Sequence, residues 1–237
     1  MDYKTIRQLS RAFSVQDIMT EVSLLKRAQT LSDAKNLFSE YDIVTYPKKG
    51  KIEGFFKNDS EDKHNIETGF IVSEGTSLFD LPQLFCENYF YFVISANKIV
   101  GYVHYSDLNK PLVKIPFFAM FQAVERKLWD KIQNKISEDA IRTLFPNDTD
   151  NFLKQKKKAE KNNVDVGWVG IFSFPYILRL ARHYGFTDLS DEEIKQLKEI
   201  RNKVAHSDHY LIKDTNDVKT LAESHDIFIN LLKSSKS

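Results

Sequence analysis

A single cysteine, Cys86, stands in 237 residues. It cannot close an intramolecular disulfide, and cysteine-based zinc clusters are excluded with it, so a reducing compartment is expected. Charge of one sign is lacking too. The chain carries 34 Lys and Arg against 33 Asp and Glu, a formal +1. No global field draws it to nucleic acid or to a membrane, and any RNA contact has to come from a local patch. Long apolar runs are missing. Clusters such as Ile115–Phe121 fall far short of the roughly 18 residues that span a bilayer, and Met1–Lys4 opens no apolar signal core. The expectation is a soluble, cytoplasmic protein with no membrane partner. Gly-x-Gly-x-x-Gly and Walker loops, His-Glu-x-x-His and zinc spacings, and the Gly-x-Ser-x-Gly elbow are all absent, which removes dinucleotide, P-loop, zinc and α/β-hydrolase readings.

What is present is apolar mass: 42% of the residues are hydrophobic and 13% aromatic, enough for real cores and against disorder. Domains of roughly 100–150 residues make two a natural division, with one large domain as the alternative. Cys86 reads as a small buried hydrophobe between Phe85 and Tyr89. Leu31–Tyr41 reads as a helix capped by Ser32 or Asp33. Ile43–Pro47 and Ile52–Phe56 read as strands around a turn at Lys48–Lys51. Asn58–Asn65 reads as an exposed loop. Then the order recurs: strand-like Gly69–Val72, helix Ser77–Glu87, strand Tyr89–Ile94, turn Ala96–Lys98, strand Ile99–Val103. The spacing is about fifty residues, as for two copies of one unit that bury their sheets together.

Beyond Pro111 helical periodicity takes over. Phe117, Phe121, Val124, Leu128 and Ile132 form one stripe at about 100° per residue. Phe172–Tyr184 reads as a helix closed by Gly185, Ser190–Glu193 as a capping box, and Asp217–Leu232 as a last amphipathic helix. The lysine run Lys154–Lys158 reads first as a solvated face and second as an RNA contact.

Val15-Gln16-Asp17-Ile18-Met19-Thr20, Leu31–Ala34, Tyr46-Pro47 and Ile52–Phe55 resemble the successive signatures of a cystathionine-β-synthase (CBS) domain. The second copy ends in Val93–Val103 followed by His104 to Leu108, which is similar to the family's closing pattern. The resemblance covers residues 10–110. It implies an adenine-nucleotide effector such as AMP or ATP between the copies, with Tyr46, Gly101, His104 and Asp107 carried over as binding residues. Asp107 matches the aspartate that accepts from ribose hydroxyls, and a carboxylate can accept from two adjacent hydroxyls. The competing reading is that Asp107 only caps the turn at Leu108. His104 departs from the usual Thr or Ser. The first copy has Lys57 and Ser60 and lacks the aspartate, so one cleft is expected to be altered.

Arg201-Asn202-Lys203-Val204-Ala205-His206, with Ala123–Leu128 upstream, resembles the HEPN superfamily, helical bundles that include metal-independent ribonucleases. The expected fold class is therefore an α+β pair of βαββα-type repeats over 1–110, then an all-α, HEPN-like bundle over 111–237. Arg201 falls inside the apolar stripe of Ile194, Leu197 and Val204, where a guanidinium needs a partner, and Glu125 borders a buried face. A Glu125–Arg201 interaction is expected. His206 lies about 140° from Arg201 on a continuous helix. The two converge only if the helix ends first or if two subunits share the site; the resemblance favours a homodimer through the C-terminal domain. By that resemblance Arg201, Asn202, His206 and Glu125 are the catalytic set. RNA is the substrate, no cofactor serves the chemistry, and a toxin or antiviral-defence role is typical of similar domains. A histidine titrating near neutrality can move protons during 2′-hydroxyl attack, and an arginine can hold the phosphate. The alternatives are a helix-terminal histidine of purely structural role and a non-catalytic dimerisation or partner-binding module.

Overall fold

The computed structural model describes Gln8 and residues 11–162, 168, 170–206 and 208–234. Two compact units make up the chain: Ser10–Val113 with Ile212–Lys219, and Lys114–Leu211 with the segment from Thr220 onward. Ile212–Lys219 goes with the first unit. Asn109 accounts for this locally. Its Nδ2 donates to the Ile212 carbonyl at 2.7 Å and its Oδ1 accepts from the Ile212 N–H at 2.9 Å.

The first unit is α+β. Helix α1 (Leu31–Lys35) is capped by Thr30, one residue before the expected start. Thr30 Oγ1 accepts from Asp33 N–H at 3.2 Å while Asp33 accepts from Thr30 N–H at 3.1 Å. The helix is shorter than expected. Leu37, Phe38 and Tyr41 leave it yet still pack on the core of Ala34, Val44, Tyr46 and Phe56, so burial satisfies them without helical geometry. Strands β2 (Ile43–Tyr46) and β3 (Gly54–Lys57) form an antiparallel hairpin. Asn58–Asn65 is not wholly loop: β4 (Lys63–Asn65) pairs with β3, and His64 stacks on Phe55 at 5.2 Å. The edge of a strand is a row of unpaired amides, and this segment covers it.

In the second copy β5 (Ile71–Ser73), helix α2 (Leu81–Glu87), β6 (Phe90–Ser95) and β7 (Lys98–His104) follow in order. β5 runs parallel to β6, and β6 antiparallel to β7. The first copy repeats this with a parallel bridge, Arg27 to Thr45, in place of β5. Ala96 and Asn97 both take positive φ, the two-residue turn that suits hairpin twist. Cys86 is exposed, contrary to its expected burial, because Leu81 and Phe85 take the inner face of α2.

The copies are tied by exchange. β1 (Thr20–Glu21), which leads into copy one, pairs with β7 of copy two; β4, which leads into copy two, pairs with β3 of copy one. The crossings fall on Gly101, opposite Glu21, and on Gly54, opposite Asn65. A Cβ at Gly101 would lie 2.6 Å from Met19 Sδ and 2.8 Å from the Thr20 carbonyl.

The second unit is built from helices: α3 (Pro111–Ile132), α4 (Glu138–Leu144), α5 (Thr149–Lys161), α6 (Phe174–His183), α7 (Asp191–Ala205) and α8 (Thr215–Lys233). The stripe Phe117, Phe121, Val124, Leu128, Ile132 is buried, and the Phe121 ring meets Phe174 at 5.6 Å and Phe228 at 4.4 Å. Gly185 closes α6 at φ +74, and Ser190 and Glu193 form the capping box of α7. No helix among the described residues is long and apolar enough to cross a membrane.

Candidate functional site

A cavity of about 260 Å³ opens in the first unit where the start of β2, the segment after β1 and the end of β7 meet. Lys26, Glu40, Tyr41, Asp42, Tyr102, His104 and Asp107 are among its lining residues. Its size is at the small end for a ligand pocket. Two of the four residues carried over by resemblance, His104 and Asp107, are in it. Gly101 is not; its missing side chain admits β1. Tyr46 is not either. It sits in the copy-one core, its hydroxyl 3.3 Å from Asn65 Oδ1 and its ring 5.2 Å from Phe56.

Asp107 is already occupied. Its Oδ2 accepts from His104 N–H at 2.8 Å and its Oδ1 pairs with Lys110 Nζ at 2.9 Å. Lys110 also donates to the Ile18 carbonyl. The capping role therefore holds. His104 completes the cap: its Nδ1 accepts from Ser106 N–H at 3.2 Å, and its ring lies face on to Tyr102, 6.4 Å away. Burial holds the imidazole below its ordinary value, against the upward pull of Asp107 and Asp42. Burial pushes the Tyr102 phenol well above its ordinary value, and Tyr89, Asp107 and Asp42 add to this. Among the described residues the Tyr102 hydroxyl makes no hydrogen bond, and the Asp42 carboxylate makes neither a hydrogen bond nor an ion pair.

The repeat places a second cleft related to this one, and the chain fills it. Hairpin register matches Ile43 with Phe90 and Lys57 with His104, which sets Thr45 against Phe92, Gly54 against Gly101 and Ser60 against Asp107. Where the open cavity has Tyr102, Ile43 and Thr45, the related cleft has Phe55, Phe90 and Phe92. Phe55 lies 5.2 Å from Phe90, 5.3 Å from Phe70 and 5.5 Å from Phe92. Lys57 Nζ rests 5.3 Å from the Phe70 centroid, and Ser60 is engaged by His64 Nε2 at 3.0 Å.

In the second unit, α7 ends at Ala205. His206 continues in extended backbone (φ −108, ψ 127), its N–H donating to the Asn202 carbonyl at 3.1 Å. Lys114 Nζ donates to the carbonyls of His206 and His209, both at 2.7 Å, and the two imidazoles lie 5.5 Å apart. His206 and Asn202 are exposed; Arg201 and Glu125 are half-buried. The expected direct Glu125–Arg201 pair is not made: no hydrogen bond or ion pair within 4.0 Å joins them among the described residues. Their charges still interact. Burial raises the Glu125 pKa and the Arg201 guanidinium opposes it. Arg201 retains water contact at the edge of the stripe, so its charge does not require a partner. No hydrogen bond joins Arg201 to His206 either. The lysine run lies on α5, where Lys156 Nζ sits 4.5 Å over Trp168.

No family model matches the chain, and no curated protein matches it. One solved structure is similar in part. It is the CBS domain of a bacterial CNNM/CorC-family Mg2+ transporter in complex with ATP, at 16% identity and TM-score 0.34, covering 46% of this chain and 94% of that one. The repeat rests on its own strand register, not on that similarity.

Sequence reasoning missed Lys26, Glu40, Asp42 and Tyr102. Glu40 and Asp42 lie between the end of a helical stretch and the start of β2, and nothing in their local pattern marked them. Tyr102 had no signal either, since an aromatic in a strand usually signals burial.

Proposed function

We propose that this chain is a ligand-regulated, metal-independent endoribonuclease: the first unit is a CBS-type sensor that takes one adenine nucleoside or nucleotide in its open cavity, and the second is a HEPN-like nuclease. What carries the nuclease reading is the end of α7. The helix stops one residue before His206, so the imidazole leaves the helix exposed, one turn past Arg201 and beside His209 and Lys114. In this reading His206 passes a proton to or from the reacting oxygens, and Arg201 holds the phosphate while the RNA 2′-hydroxyl attacks it. Asn202 positions the phosphate, and two chains pair through the helical unit. The products end in a 2′,3′-cyclic phosphate. Varied RNAs incubated in EDTA, with and without adenine nucleotides, test it. His206→Ala is expected to lower cleavage about 10²–10⁴-fold and Arg201→Ala about 10²–10³-fold. Wild-type inactivity on every RNA, or undiminished cleavage by His206→Ala, overturns the reading.

The absence of a direct contact among Arg201, His206 and Glu125 favours a second reading, a non-catalytic module for dimerisation or partner binding. There His206→Ala leaves dimerisation and partner capture unchanged. In either reading Arg201→Ala is expected to cost about 1 kcal/mol or less in a melt, because the side chain is half-buried and makes no ion pair within 4.0 Å among the described residues. A large loss of cleavage beside so small a change in stability separates the two.

A further inference from the structure

Building on the sensor reading, we infer that the ligand of the open cavity is a nucleoside that is uncharged or cationic at its 5′ end, not a polyphosphate. Three carboxylates line the cavity, Glu40, Asp42 and Asp107, against one ammonium, Lys26. Lys110 neutralises Asp107 but is not a lining residue, so the remaining balance is two carboxylates to one cation. A phosphate site needs free cations or free backbone N–H groups. The turn that opens at the end of β7 offers few: His104 N–H is taken by Asp107 and Ser106 N–H by His104 Nδ1. Lys26 is drawn over the Tyr41 ring, 5.3 Å from its centroid.

The same groups suit a nucleoside. Asp42 has a carboxylate with no hydrogen bond or ion pair among the described residues and can accept from both ribose hydroxyls. Tyr102 supplies a hydroxyl that makes no hydrogen bond among the described residues, and Tyr41, Tyr102 and His104 supply aromatic surface for a base. Each phosphate added to the 5′ position brings negative charge into a field that is already negative, so affinity falls as phosphates accumulate.

Calorimetry on the full chain without divalent metal tests this, using adenosine, 5′-amino-5′-deoxyadenosine, AMP and ATP. The amino derivative is expected to bind tightest, then adenosine, with AMP weaker by about tenfold or more and ATP weaker again. Raising the salt narrows the gap between adenosine and AMP. The double variant Glu40→Gln, Asp42→Asn, both exposed positions, reduces the preference for the amino derivative. If ATP or AMP binds as tightly as adenosine, and Asp42→Asn weakens all of them, the inference falls while the adenine-nucleotide reading stands. If none of the four binds, both fall.

Discussion

Glu125 shows how one side chain can be read in two ways and tested by sign. Its folded pKa is raised, by burial first, with Arg201 opposing. A carboxyl with a raised folded pKa holds its proton more tightly folded than unfolded. Its contribution to stability is present below the unfolded value near 4.3 and is lost as pH rises through the folded value. At pH 7 the ionised group therefore costs stability, and Glu125→Gln is expected to raise the melting temperature slightly. The gain is below about 1 kcal/mol, because the carboxylate is only half-buried and is screened. Melts at pH 4 and pH 7 check it: the variant's advantage should vanish at the lower pH. A loss of stability at pH 7 would mean that the pair with Arg201 dominates. Asp107 and Asp42 differ in the same way. Asp107→Ala removes a cap and costs about 0.5–2 kcal/mol whether or not a ligand binds, whereas Asp42→Asn breaks no hydrogen bond or ion pair among the described residues and changes only the charge that Tyr102 and His104 feel.

The exchange of leading strands binds the two copies of the first unit. Each crossing falls on a glycine, and neither glycine has a left-handed backbone; the constraint is space. Gly101→Ala forces a methyl against Met19 and the Thr20 carbonyl and is expected to cost about 1–3 kcal/mol. At Gly54 the clash is with the His64 carbonyl and the Tyr46 ring. Both methyls meet a carbonyl of a paired strand, but at Gly54 that carbonyl lies closer and the Tyr46 ring intrudes as well, so Gly54→Ala should lose more. Urea titrations of both variants decide the order. Equal stability to wild type at either position would mean that the crossing has room for a methyl. The helix-strand-hairpin order of each copy was readable from alternation and turn residues. The exchange was not, because β1 and β4 are two and three residues long and carry no periodicity.

At the scale of the whole molecule, asymmetry between related clefts sets the stoichiometry. The copy-one hairpin puts Phe55, and the copy-two hairpin Phe90 and Phe92, where a ligand would otherwise enter. On the proposed sensor reading, one ligand per chain is expected, with a thermal shift that grows with ligand concentration. At 100 times the Kd the gain is about 2.7 kcal/mol for one site. Calorimetric binding of two ligands per chain would show that the aromatic cluster opens.

Several features follow from local pattern alone. These are the helical periodicity beyond Pro111, the capping box at Ser190, the Gly185 stop and the Arg201–His206 motif, each set by neighbours within a few residues, and the repeat, set by the recurrence of one order of elements. Tertiary structure decided the rest. It left Arg201 half in water, so that no ion pair with Glu125 formed, and turned Cys86 outward. It used both oxygens of Asp107 within the chain, left Asp42 open, and filled one of two related clefts. Burial and charge balance depend on residues far apart in the chain, and no local pattern carries them.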